Sequence, residues 1–195
     1  MNQSIKKQII ALIHREVIPA IGYTEPIAVA LASAKAAEVL DGKPERVEVY
    51  LSANILKNAM GVGIPGTGMV GLPIAIALGS LIGRSAYGLE VLKDLSPEGL
   101  AEGKAMVERK CITIALKEQV DKLYIEVVSH RGDDESRVVI SHAHTHFSYI
   151  ARNSEVLYSE DAGAGNEEQD EEQEISLNFG LVYDFALQML SLIHI

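Results

Sequence analysis

Gly22-Tyr23-Thr24-Glu25-Pro26 lies between two stretches whose apolar residues recur at helical spacing, and its reading decides how the chain starts to fold. Glycine tolerates the backbone angles of a sharp turn that other residues resist. Thr24 is a good N-cap, and Glu25 and Pro26 suit the first turn of a helix. The spacing predicts a helix from Thr24 to about Leu40 with Ile27, Leu31 and Ala34 on its apolar face. Whatever side chain occupies position 23 stands at a helix mouth, where unpaired N–H groups and the positive end of the macrodipole favour an anion. The same five residues also read as a plain corner between two helices.

Upstream of the corner, Ile5, Ile9, Leu12, Ile13 and Val17 recur at spacings of three and four, giving an amphipathic first helix that Pro19 ends. Downstream, Asp41-Gly42-Lys43-Pro44 is turn chemistry and residues 46–51 alternate as a half-buried strand does. A short helix over 54–60 leads into a glycine-rich loop and a buried helix over 72–82, too short to span a membrane. Ser96-Pro97-Glu98 is a cap followed by proline, which starts a helix reaching about Arg109. From Cys111 the period changes to two, and 112–116, 122–129, 137–143 and 147–151 read as strands, with Arg131-Gly132-Asp133-Asp134 as a hairpin turn. The expected class is α+β: N-terminal helices with a glycine-rich loop, then a mostly antiparallel sheet and a C-terminal helix.

Three segments are expected: a body over 1–159, an acidic linker over 160–174, and a terminal helix over 175–195. That last helix still carries apolar residues at Ile195, as a cut chain would, so a fragment with an uncovered face is expected, prone to associate as a homo-oligomer. The net charge of -10 argues against nucleic acid or an anionic membrane as partner, since both require basic patches. The N-terminus alternates charged and apolar residues and lacks the apolar run of a secretory signal, so the expected location is cytoplasmic. A single cysteine, Cys111, excludes an intramolecular disulfide and an all-protein thiolate cage.

Two motifs invite chemistry. The glycines at 61, 63, 66, 68 and 71 match a dinucleotide fingerprint twice, but no strand leads directly into them and no lysine follows Gly66-Thr67. A better reading is a loop whose N–H groups line a cavity for a small anion such as an amino acid carboxylate, with Lys57, Asn58 and Asn54 close enough in sequence to add a cation and amides. A tight packing loop explains the same glycines. His142, His144 and His146 alternate, so on a strand all three would share one face, either as metal ligands or as a metal-free histidine cluster.

Several of these blocks resemble one known family. Ile18-Pro19-Ala20-Ile21-Gly22-Tyr23-Thr24-Glu25-Pro26-Ile27-Ala28 resembles the N-terminal motif of the L-cysteine desulfidases, relatives of the iron-sulfur L-serine dehydratase alpha domain. Ser52-Ala53-Asn54, Lys57-Asn58 and residues 61–73 resemble the family's glycine-rich segment, with weaker agreement at residues 88–94 and at His144-Thr145. The resemblance implies a lyase that converts L-cysteine or a similar small amino acid to pyruvate, ammonia and sulfide with a 4Fe-4S cluster. It also implies Glu25, Thr24 and Lys57 as catalytic residues, and Asn54, Asn58, Gly66, Thr67, Gly68 and His144 as substrate-binding residues. One position departs from the family: Tyr23 stands where the family carries a cluster-ligating cysteine, and a phenol is no simple replacement for a thiolate. The family's other cluster cysteines lie in a C-terminal half that this sequence does not include. The alternative implied by Tyr23 is a cluster-free protein that binds a small amino or hydroxy acid.

Overall fold

A computed structural model describes residues 2–17, 19–160 and 176–193. The chain divides into two compact units, Met1–Ile18 with Asn166–Ile195, and Pro19–Gly165. In the first, helix α1 (Gln3–Glu16) is capped by Asn2, whose side chain accepts from Ser4 N at 3.1 Å. The same unit holds the C-terminal helix, Phe179–Ile193, which exposes Phe179, Val182, Tyr183 and Leu187. Most of the expected acidic linker lies outside the described residues.

The second unit is organised around helix α2 (Thr24–Leu40), in which every residue from Pro26 to Ala34 is buried. A helix apolar all round must have neighbours all round. One neighbour is α4 (Leu72–Ile82), which follows the shorter α3 (Ala53–Ala59). They approach until a Cβ at Gly79 would lie 2.3 Å from the carbonyl oxygen of Ala30, so only glycine fits this crossing. Helix α5 (Pro97–Glu108) packs on α4 and starts where its sequence predicts: the Ser96 hydroxyl accepts from Gly99 N at 3.1 Å, with Pro97 in the first turn.

The sheet has six strands in the order β4-β1-β5-β6-β7-β8, namely β1 (Arg46–Leu51), β4 (Ile112–Leu116), β5 (Tyr124–Arg131), β6 (Asp134–Ser141), β7 (Phe147–Arg152) and β8 (Glu155–Ser159). All pairings are antiparallel except β1 with β4. Val47, Val49, Leu51, Ile125, Val127, Val138 and Ile140 join α2 and α4 in one apolar core. Ser136 belongs to this face too, donating its hydroxyl to Ala36 O of α2 at 2.7 Å. Alternation then sends Glu48, Tyr50, Glu126 and Arg137 to the opposite face.

The α+β class and the order of elements stand as expected, with four differences. Tyr23, not Thr24, is the N-cap of α2 and makes no side-chain cap bond, leaving Thr24 in the first turn. Strands β5 and β6 extend to Arg131 and start at Asp134, because the turn between them needs only Gly132 and Asp133, with Gly132 at φ 57°. β8 was not anticipated. The three histidines do not alternate on a strand: β6 ends at Ser141, and 142–146 form a tight loop closed by Ala143 N donating to Ser141 O at 2.7 Å and His146 N donating to Ala143 O at 3.1 Å.

Candidate functional site

The corner at 22–26 is pinned from two sides. Gly22 has φ 95°, and a Cβ there would meet Pro65 Cγ at 2.8 Å, so the turn lies directly against the glycine-rich segment. Ile21 N donates to Leu89 O at 3.0 Å. Within the first turn of α2, the Glu25 carboxylate accepts from Asn58 Nδ2 of α3 at 3.2 Å and from Thr24 Oγ1 at 3.3 Å. Three residues expected from sequence to act together, Thr24, Glu25 and Asn58, therefore share one hydrogen-bonded group.

The glycine-rich segment is a small hairpin of β2 (Gly63–Ile64) and β3 (Met69–Val70), with Gly66 at φ 77° and Gly68 at φ 65°. Its turn is braced from inside. The buried Thr67 hydroxyl donates to Ile64 O at 2.7 Å and accepts from Met69 N at 2.9 Å. Gly66 also borders a depression of about 410 Å³ shared with Ile21, Pro65, Lys93, Leu95 and Ser96. Asn54 and Lys57 are directed elsewhere. They line a separate depression of about 570 Å³ with residues 116–122. His144 is half-buried in the 142–146 loop, beside His142 and His146.

A second polar cluster, not singled out from sequence, sits on the open face of the sheet. Glu126, whose side chain is only 4% exposed, pairs with both Lys117 and Arg137, the latter at 3.4 Å. Tyr124 donates its hydroxyl to Glu126 at 3.0 Å and accepts from Lys117 Nζ at 3.2 Å. Burial disfavours the Lys117 ammonium, yet its bonds to Glu126 and Tyr124 prevail and hold its pKa above the usual lysine value. Burial also pushes the Tyr124 phenol up. Nearby, His130 lies between Glu48 at 3.6 Å and Glu135 at 3.7 Å, and burial together with the Arg46 charge lowers its pKa. The signal was present in sequence: Glu126 interrupts the run Ile125-Glu126-Val127-Val128, and a charge in a buried strand must be paired.

At the helix mouth, Tyr23 is 67% exposed and offers a phenol. Cys111, the chain's one cysteine, packs half-buried between α5 and β4 with its thiol donating to Met106 O at 3.4 Å. The residues of this chain therefore do not fit the ligand set of an iron-sulfur cluster. Among the described residues, no group of three or more His, Cys, Asp or Glu is arranged to hold a metal ion. No helix among them is long and apolar enough to cross a membrane.

Comparison with known proteins gives close relatives. The chain is 70% identical over 190 residues to a UPF0597 protein of Parabacteroides distasonis, which covers 97% of this chain and 44% of that protein. A UPF0597 protein of Porphyromonas gingivalis is 47% identical over 192 residues, 96% of this chain and 44% of its own. One from Aeromonas hydrophila is 41% identical over 181 residues, 92% of this chain and 41% of its own. The chain thus spans less than half the length of the curated relatives it matches. No family model and no solved structure matches it.

Proposed function

We propose that the chain contributes the 22–26 corner to a longer lyase that removes the β-substituent of L-cysteine or a similar small amino acid, releasing pyruvate and ammonia. The observation that carries this reading is the Glu25–Asn58–Thr24 group, a carboxylate fixed at a helix N-terminus and backed by the glycine hairpin through Gly22 and Pro65. Free N–H groups in the first turn of α2 suit the substrate carboxylate. Glu25 takes the proton from the substrate Cα as the β-substituent departs with its bonding electrons, and the enamine left behind hydrolyses to pyruvate and ammonia. Asn58 is the positioning residue for Glu25. The resemblance would add a 4Fe-4S cluster, and since the residues present do not fit it, no step is assigned to one.

The test is Glu25→Gln in the full-length protein, assayed for pyruvate from L-cysteine and L-serine. A loss of about 100-fold or more is expected for removal of a general base; unchanged turnover would take Glu25 out of the mechanism.

Tyr23 favours a second reading, a cluster-free protein that binds a small amino or hydroxy acid at the same corner. Thermal denaturation without iron separates the two. A ligand at about 100 times its Kd stabilises by about 2.7 kcal/mol, so a clear shift with L-cysteine or L-serine supports the binder and no shift counts against it.

A further inference from the structure

We infer that the open face of the sheet carries a second binding site, a cradle for a small zwitterionic amino acid, distinct from the 22–26 corner. The cavity holds about 490 Å³ and is floored by β5, β6, β7 and β8. Its two ends differ in charge. At one end stand Lys117 and Arg137 around the buried Glu126; at the other stands Glu160, about half exposed, 3.7 Å from both His142 and His146. Between them the lining is hydroxyl-rich, with Ser141, Ser148 and Tyr149.

Glu126 is satisfied within the protein: one carboxylate oxygen takes Lys117 and Tyr124, and the other faces Arg137 at 3.4 Å. It acts as a fixed anchor that holds two cations side by side. Those cations are not used up. Among the described residues the Arg137 guanidinium faces one carboxylate oxygen only, and its side chain is 47% exposed, which leaves N–H donors turned to solvent. Such a fork suits a ligand carboxylate in two-pronged contact, with Lys117 adding charge.

The opposite end selects for a cation. The Nδ1 of His146 lies 3.2 Å from Ser141 O, and its Nε2 stands 3.7 Å from Glu160, too far for a direct hydrogen bond, so this carboxylate oxygen keeps room to accept from a ligand ammonium. His142 adds a ring nitrogen on the other Glu160 oxygen at 3.7 Å. Carboxylate at one end and ammonium at the other is the pattern of an amino acid, and the cavity's hydroxyls suit a short polar side chain.

An amide NMR titration of the chain with L-serine tests this, with acetate and ethanolamine as half-ligands. L-Serine is expected to shift the amides of Glu126, Arg137, Ser141 and Ser159, with each half-ligand at least about tenfold weaker, since each forfeits a charge-assisted contact. Arg137→Gln and, independently, Glu160→Gln are each expected to weaken L-serine by about tenfold or more while the amide spectrum of the folded chain is retained. Equal binding of acetate and L-serine would reduce the site to a simple anion site and overturn the proposal. So would shifts confined to residues 22–26 and Asn58, which would instead support the corner, or an absence of shifts at millimolar L-serine.

Discussion

Replacing Gly79 by alanine sets two effects of opposite sign against each other. In an open helix the change stabilises by about 0.5–1 kcal/mol, because glycine loses more backbone freedom on folding. Here the added Cβ would stand 2.3 Å from Ala30 O and 2.9 Å from both Ala30 C and Ala30 Cα, all of them backbone atoms that cannot rotate away. Relief requires α4 to retreat from α2 by roughly 1 Å, given that carbon and oxygen settle near 3.5 Å. Both helices are held by other contacts, α2 by β5 and β6 and α4 by α5, so the retreat opens gaps elsewhere. Overpacking of this kind costs about 1–3 kcal/mol and more when backbone must move, so the net expectation is a destabilisation of about 2 kcal/mol. For a chain of this size that is a fall in melting temperature of roughly 4–8 °C. The assay is thermal unfolding by circular dichroism, with Gly61→Ala as control, since a Cβ at Gly61 meets nothing within 4 Å. A Gly79→Ala protein that melts at or above the parent would refute the close α2–α4 crossing and with it the fixed placement of the α2 N-terminus.

Gly22→Ala is expected to destabilise by about 1–3 kcal/mol in denaturant titration, from the positive φ of 95° and the contact with Pro65 at 2.8 Å together; a neutral effect would mean the corner is loosely held. His130→Gln probes pH. Burial and Arg46 depress the folded pKa of His130, so the unfolded chain binds its proton first, and the stability that neutral His130 contributes is present above pH 6.5 and lost as pH falls below it. The melting temperature of the parent is therefore expected to fall more steeply than that of the variant on acidification below pH 6.5, and parallel curves would refute the assignment.

Where one physical rule acted alone, the elements were legible in the sequence. Ser96-Pro97 started α5 because a cap and a proline are local devices, and 46–51 read as a strand because alternation there met one buried face. The buried helix over 72–82 was legible from length and flanking glycines. The histidines misled because an alternating pattern carries no record of hydrogen bonding. Ser141 could end β6 only by closing a loop onto His146. The parallel pairing of β1 with β4 was out of reach for a similar reason: it joins segments more than sixty residues apart, and nothing local specifies it. At the candidate site, the Glu25–Asn58 bond rests on the packing of α2 against α3, while Asn54 and Lys57, on the same short helix, turn toward 116–122. Sequence proximity grouped Asn54, Lys57 and Asn58, and only the resemblance joined Glu25 to them. A rotation of 100° per residue puts Lys57 about 100° from Asn58, whereas Asn54, one turn earlier, stays within about 40° of it, so spacing along α3 does not by itself tell which depression each residue lines.

Position 23 separates architecture from chemistry. Tyr23 caps α2 with its backbone alone, makes no side-chain cap bond and is largely exposed, so the corner does not depend on which side chain stands there. What holds the corner is its neighbours: Gly22 against Pro65, Ile21 on Leu89, and Glu25 on Asn58. A thiolate could therefore become a phenol, or the reverse, with little strain on the fold, whereas a change at Gly22 or Pro65 would disturb the geometry for any ligand. At neighbouring positions, then, Gly22 is fixed as glycine by packing against Pro65 while the side chain of Tyr23 is left free by the fold. For that reason a resemblance spread over the whole corner predicts how the chain is built there more securely than what it does.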